Sequence, residues 1–205
     1  MSSDRRAPRH TLSRDRVVAG AMAIADHDGL PALTIRSLAT HLDVKPMAIY
    51  HYVATKDALL DALVEQVFTE IERPVPGEDW RAELARRSRS ARAVLLRHPW
   101  SIGLLESRTA ATRPATLDHH EAVLATLRAA GFSAARSGSA YLLLDSFVYG
   151  FALQEATMPA TDAVPTGHPV VAEVLGAHVA APGFGYDAEF ETGLTVVLDG
   201  IAGWR

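Results

Sequence analysis

Residues 33–56 run LTIRSLATHLDVKPMAIYHYVATK. Thr34 is suited to cap a short helix from Ile35 to Leu42, because its hydroxyl can accept an otherwise unpaired N–H of the first turn. Ile35, Leu38, Ala39 and Leu42 recur on one face of that helix. Asp43-Val44 is a tight connection. Pro46 sits at the start of a second helix, where its missing N–H costs nothing, and that helix is expected to end near Tyr52. Leu38, Ala39, Leu42, Val44 and Ile49 hold the pair together from inside. Lys45, Pro46, Met47, Tyr50 and His51 point outward, and core packing alone leaves that surface unexplained. Two short helices with a turn of about three residues form a helix-turn-helix, whose second helix fits a major groove roughly 12 Å wide.

The same punctuation organises the rest of the chain. Ser13 caps a preceding helix with Val17, Val18, Ala21, Ile24 and Ala25 at helical spacing, ended by Asp28-Gly29-Leu30. Thr55 caps a helix from Lys56 to about Glu72 with an apolar stripe of Leu59, Leu60, Leu63, Val67 and Ile71. Pro74-Val75-Pro76-Gly77 then breaks the pattern. Helices are expected from Trp80 to about Arg97, from Trp100 to about Ala110, from Pro114 to Ala130-Gly131-Phe132, and from Ser133 to about Thr157. Residues 159–169 read as a loop, followed by helices over about 169–180 and 187–203. No strand pattern competes, so the fold class is all-α. Three parts are expected: a flexible basic arm over 1–11, a helix-turn-helix DNA-binding domain over 12–72, and a helical C-terminal domain over 73–205.

Composition narrows the function classes. The 205 residues are 48% hydrophobic and 21% charged, with a net charge of −4, which suits a folded chain with a sizeable core. There is no cysteine, so disulfides and thiolate metal sites are excluded and a reducing cytoplasm is the expected location. No apolar run is long enough to span a bilayer, and the polar, basic start from Met1 to Arg16 does not read as a secretory signal. Positive charge gathers in Arg5, Arg6, Arg9, Arg14 and Arg16 and then at Arg36, Lys45 and Lys56, a local footprint of the kind DNA binding requires. Phosphate-binding glycine loops, HExxH and GxSxG are missing from the sequence, so catalysis is not expected. Nor is a cofactor or metal: in Asp118-His119-His120-Glu121 adjacent helical side chains diverge by about 100° and make no ligand pair.

Tyr50, His51-Tyr52, Lys56 and the following Asp57-Ala-Leu-Leu complete a pattern that resembles the TetR family over about residues 12–65. The resemblance implies a repressor that binds a palindromic operator on double-stranded DNA as a homodimer and is released by a small-molecule effector. Activation instead of repression, and binding without any effector, stay open at this point. Residue by residue, it implies that Tyr50, Tyr52 and Lys56 contact phosphates, that Thr34 touches the DNA backbone, and that Arg36 reads a guanine. Lys45, Pro46, Met47 and Ala48 would face base edges, and His51 belongs to the same DNA-contacting set. Arg5, Arg6 and Arg9 would form a minor-groove arm.

The C-terminal part is similar to the tetracycline-repressor branch at Arg97-His98-Pro99-Trp100, Thr112-Arg113-Pro114, Gly131-Phe132-Ser133 and Asp145 to Phe151. That branch holds a drug–magnesium chelate with a His in the region of residues 101–113. None occurs here, and Gln154 stands where an acidic residue is expected, which argues against that chelate as effector. The helices over 140–156 and 187–203 are apolar nearly all round and imply a four-helix dimer bundle, with Phe190 and Leu198 among the expected interface residues. An effector pocket is expected among Trp100, Leu104, Leu105, His119, His120, Val123, Leu127, Phe147, Phe151, Gln154 and Met158.

Overall fold

The computed structural model describes residues 11–107, 114–158, 167–181 and 183–205. The basic arm, the end of the helix expected to reach Ala110 and most of the 159–169 loop lie outside these residues. Among them the chain forms α1 (Arg14–Asp28), α2 (Ile35–His41), α3 (Pro46–Ile49), α4 (Lys56–Glu70), α5 (Trp80–Arg97), α6 (Ser101–Ser107), α7 (Pro114–Ala129), α8 (Ala134–Thr157), α9 (Pro169–Val179) and α10 (Tyr186–Ala202). The described fold is all-helical, as its sequence pattern predicts.

Local chemistry sets the helix ends. Ser13, Thr34, Thr55, Asp79 and Ser133 each accept a backbone N–H of their helix's first turn. α7 stops in a Schellman turn: Phe132 N–H donates to the Leu127 carbonyl and Gly131 N–H to that of Arg128, with Gly131 at φ 94°. α2 ends the same way without glycine. Val44 N–H donates to the Ala39 carbonyl, and Asp43 takes the left-handed conformation at φ 54°. Two ends differ from expectation. Leu30–Ala32 form a 3-10 turn, because Gly29 halts α1 at φ 80° and Pro31 has its φ preset. α3 is regular only to Ile49, and Tyr52 and Val53 both donate back to the Ile49 carbonyl to close the chain toward α4.

α1 to α4 pack around Val17, Ala21, Leu38, Ile49, Leu59 and Leu63. Gly20 lets α1 approach α2 closely, since a Cβ there would lie 2.9 Å from a Leu42 methyl. α4 runs on to pack against α5, α6 and α7, so it belongs to both halves of the molecule. In the C-terminal half, α5 lies against α8 and α10. Arg89 grips Glu191 and Arg92 grips Glu155, each with both nitrogens of the fork, and Arg92 also reaches Asp187. Phe190 and Leu198 of α10 are buried within this single chain, which corrects their expected place at the subunit interface.

Candidate DNA interface and effector core

The N-terminal unit presents most of its expected DNA-contacting residues at the surface. Thr34, Arg36, Lys45, Pro46, Met47, Tyr50, His51 and Lys56 are all exposed, and Ala48 is half-buried beneath them. Met47 is 71% exposed, a large apolar side chain that nothing in its own unit covers. Behind this face Ile49 and Val53 are buried, so α3 is anchored from inside while its outer side is free. Thr34 spends its hydroxyl on Ser37, in a reciprocal cap that also bonds the Thr34 N–H to Ser37 Oγ. Lys56 opens α4, where the aligned backbone N–H groups add to its positive charge. Tyr52 departs from its expected role. It is half-buried, and its hydroxyl donates to the Leu12 carbonyl at 2.7 Å, so that proton is committed to holding the segment before α1.

The eleven residues expected to line one pocket are distributed over five places. Trp100 donates to Asp26 of α1 at 2.6 Å, at the junction between the halves. Leu104 and Leu105 lie half-buried on α6. His119 and His120 meet α4 through Phe68, with Val123 and Leu127 fully buried further along α7. Phe147 and Phe151 face α10, where Phe147 stacks on Phe190 with ring centroids 5.4 Å apart. Gln154 and Met158 are exposed at the end of α8.

A buried polar core that the sequence pattern does not reveal lies beside the two histidines. Arg87 of α5 is fully buried. Its Nη1 donates to Asp145 of α8 at 2.5 Å and its Nε donates to His119 Nε2 of α7 at 2.9 Å. Three helices therefore meet on one guanidinium. Burial opposes its charge, yet Asp145 beside it raises its pKa further. Burial pushes His119 down to about 2, and the neighbouring Arg87 cation reinforces this. Burial and the Asp145 carboxylate raise Tyr141 and Tyr149, so both phenols stay protonated. One signal could have found this core: Arg87 shares the inward stripe of α5 with Leu84, Ser88, Ala91 and Leu95, where a charged residue needs a partner.

Polar contacts also join the C-terminal half to the DNA-facing unit. Glu65 of α4 accepts the N–H of Ala115 at 2.9 Å, the N–H of Thr116 at 3.2 Å and the Thr116 hydroxyl at 2.7 Å, so a side chain of α4 caps α7. At the other junction the ring nitrogens of buried His98 lie 2.7 Å from Asp26 of α1 and 3.2 Å from Glu70 of α4.

Comparison with known proteins bears on both halves. The family described as bacterial regulatory proteins, tetR family, matches residues 17–63, and the tetracyclin repressor-like C-terminal domain matches residues 73–204. The chain belongs to the TetR family. Among its relatives, the HTH-type transcriptional repressor DrrR1 of Streptomyces coeruleorubidus is 37% identical over 149 residues, which are 72% of this chain but 55% of DrrR1. The class A tetracycline repressor of transposon 1721 from Escherichia coli is 33% identical over 201 residues, covering 93% of this chain and 91% of that protein. The structure of the TetR family protein ActR from Streptomyces coelicolor in complex with actinorhodin superposes with a TM-score of 0.76 at 28% identity, covering 95% of this chain and 98% of ActR. As a TetR family member the chain is a DNA-binding transcriptional regulator with a tetracycline-repressor-like C-terminal domain. None of its described helices is long and apolar enough to cross a membrane.

Proposed function

We propose that this TetR family regulator represses transcription as a homodimer on a palindromic operator and leaves it when a small molecule enters the α5–α8 core. One observation carries the reading. α4 begins at Lys56 on the exposed DNA face, and the same helix caps α7 through Glu65 and packs Phe68 on His119 and His120. A shift of α7 is therefore a shift of α4, and α4 sets the spacing of two recognition helices that must enter successive major grooves about 34 Å apart. Linkage makes the coupling reciprocal: a ligand that favours the displaced arrangement weakens operator binding, and the operator weakens the ligand by the same factor. The names of two relatives, a transcriptional repressor and a tetracycline repressor, and the bound small molecule of ActR support repression and effector sensing.

In this reading Arg36 and Lys45 to Ala48 face base edges. Tyr50, His51 and Lys56 hold phosphates, and Thr34 lies against the backbone. The protein works in the cytoplasm, as a regulator and not an enzyme, with residues 12–72 as its DNA-reading part and 73–205 as its sensing and dimerising part. Anisotropy titration of a labelled operator duplex tests the DNA half. Lys56→Ala should weaken binding at every sequence and lower the salt slope by about one for each phosphate that is no longer neutralised. An unchanged slope would remove Lys56 from the phosphate set.

A further inference from the structure

The buried polar core of α5, α7 and α8 has two donors to spare. Arg87 Nη2 and His119 Nδ1 are buried and have no hydrogen-bond partner among the described residues. Buried polar groups are nearly always paired, and an unpaired one is costly enough to call for an explanation. Both are donors. Arg87 has only N–H groups. His119 Nε2 accepts from Arg87 Nε, so its proton sits on Nδ1. The depressed pKa of His119 agrees with a neutral ring that carries one proton.

Resting on the reading of this half as the effector domain, we infer that the effector presents an uncharged carbonyl oxygen, of a ketone, quinone or amide, to Arg87 Nη2 and His119 Nδ1. The charge of Arg87 is already matched by Asp145. A carboxylate ligand would bring a second negative charge into the same dry core beside Asp145, and like charges there repel strongly. A neutral acceptor satisfies both donors without that repulsion. The surroundings favour a flat molecule. Phe68 lies 5.3 Å from His119 and 5.6 Å from His120, and His120 lies 5.3 Å from Tyr141, ring centroid to centroid. Such rings stack on planar apolar partners. Glu65 ties α7, which carries His119, to the helix that opens at Lys56, so occupying these donors acts on the DNA face by the route already described.

Three probes of nearly equal shape test this with the full-length protein: 1-acetylnaphthalene, 1-naphthoate and 1-isopropenylnaphthalene. Titration calorimetry should show the ketone binding about tenfold or more tighter than the carboxylate and the hydrocarbon, the gain expected for a hydrogen bond to a charged donor. His119→Phe should cut that preference severalfold. Arg87→Met alone leaves Asp145 buried and unpaired, so the paired change Arg87→Met with Asp145→Leu is the sounder variant, and melting curves check that it folds. It should bring the ketone and hydrocarbon within about twofold of each other. Equal binding of all three probes, tightest binding of 1-naphthoate, binding by none, or a preference that survives the paired change would each overturn the inference. Operator release by compounds whose binding ignores Arg87 and His119 would overturn it while leaving the effector reading intact. An operator affinity that no compound alters would instead overturn the effector reading.

Discussion

His119 shows how one buried ring shapes the behaviour of the protein. Its folded-state pKa is about 2 against 6.5 for a free histidine, because burial and the Arg87 cation both oppose a second proton. Between those values the unfolded chain holds one more proton than the folded chain, so stability rises with pH across the window. The contribution of neutral His119 is therefore complete above about pH 6.5 and is lost progressively below it. Urea titrations between about pH 6 and 4.5 should show the wild type losing about 1 kcal/mol per pH unit more than His119→Gln. Parallel slopes would mean that His119 accepts a proton in the folded protein. Single residues also mark the limits of reading a sequence. The exposed face of Arg36, Lys45, Met47 and Lys56 follows from helical spacing alone. The inward turn of the Tyr52 hydroxyl does not, because its partner is a carbonyl forty residues away. Arg87 and Asp145 are hidden for the same reason: each lies on an apolar stripe, and the partner that permits it lies on another helix.

In the proposed function, α4 is the element on which regulation turns. Helix starts are legible in the sequence, since a side-chain cap is a local event: Ser13, Thr34 and Thr55 all cap as the pattern suggests. Ends are less so. α3 stops at Ile49 where the pattern predicts a helix to Tyr52, because the need to bury Val53 bends the chain back onto the Ile49 carbonyl. The cap of α7 is not legible at all, for it comes from Glu65 on another helix. Glu65→Ala should cost about 1–2 kcal/mol through loss of a charged cap. It should also shrink the effector-induced drop in operator affinity severalfold. Gln66→Ala, on the exposed side of the same turn, is the control and should change neither. Anisotropy titrations with and without effector decide this. An undiminished effector response in Glu65→Ala would place the coupling elsewhere.

At the level of the assembled protein, the outer faces of α8 and α10 are what a second subunit would cover. Leu142 is 68% exposed and Val196 66% exposed, while Leu144, Val148, Phe190 and Leu198 fill the chain's own core. Helical periodicity shows that these helices are apolar on several sides but cannot say which side meets which neighbour, and so the pattern alone misplaces Phe190 and Leu198 at the interface. The variants that test the dimer are therefore Leu142→Glu and Val196→Glu. Sedimentation should show folded monomers with operator affinity reduced together with dimerisation, whereas a monomer with full affinity would remove this bundle from the account. In such a dimer, two copies of the Thr34–Lys56 face would read a two-fold symmetric DNA site. Selection of bound duplexes from a random pool, followed by affinity measurement at fixed salt, tests this most directly. The selected duplexes should share an inverted repeat with half-sites about one helical turn apart, in which Arg36→Ala loses about 1–3 kcal/mol of discrimination at one base pair per half-site. Recovery of sequences with no symmetry and no shared half-site would contradict it.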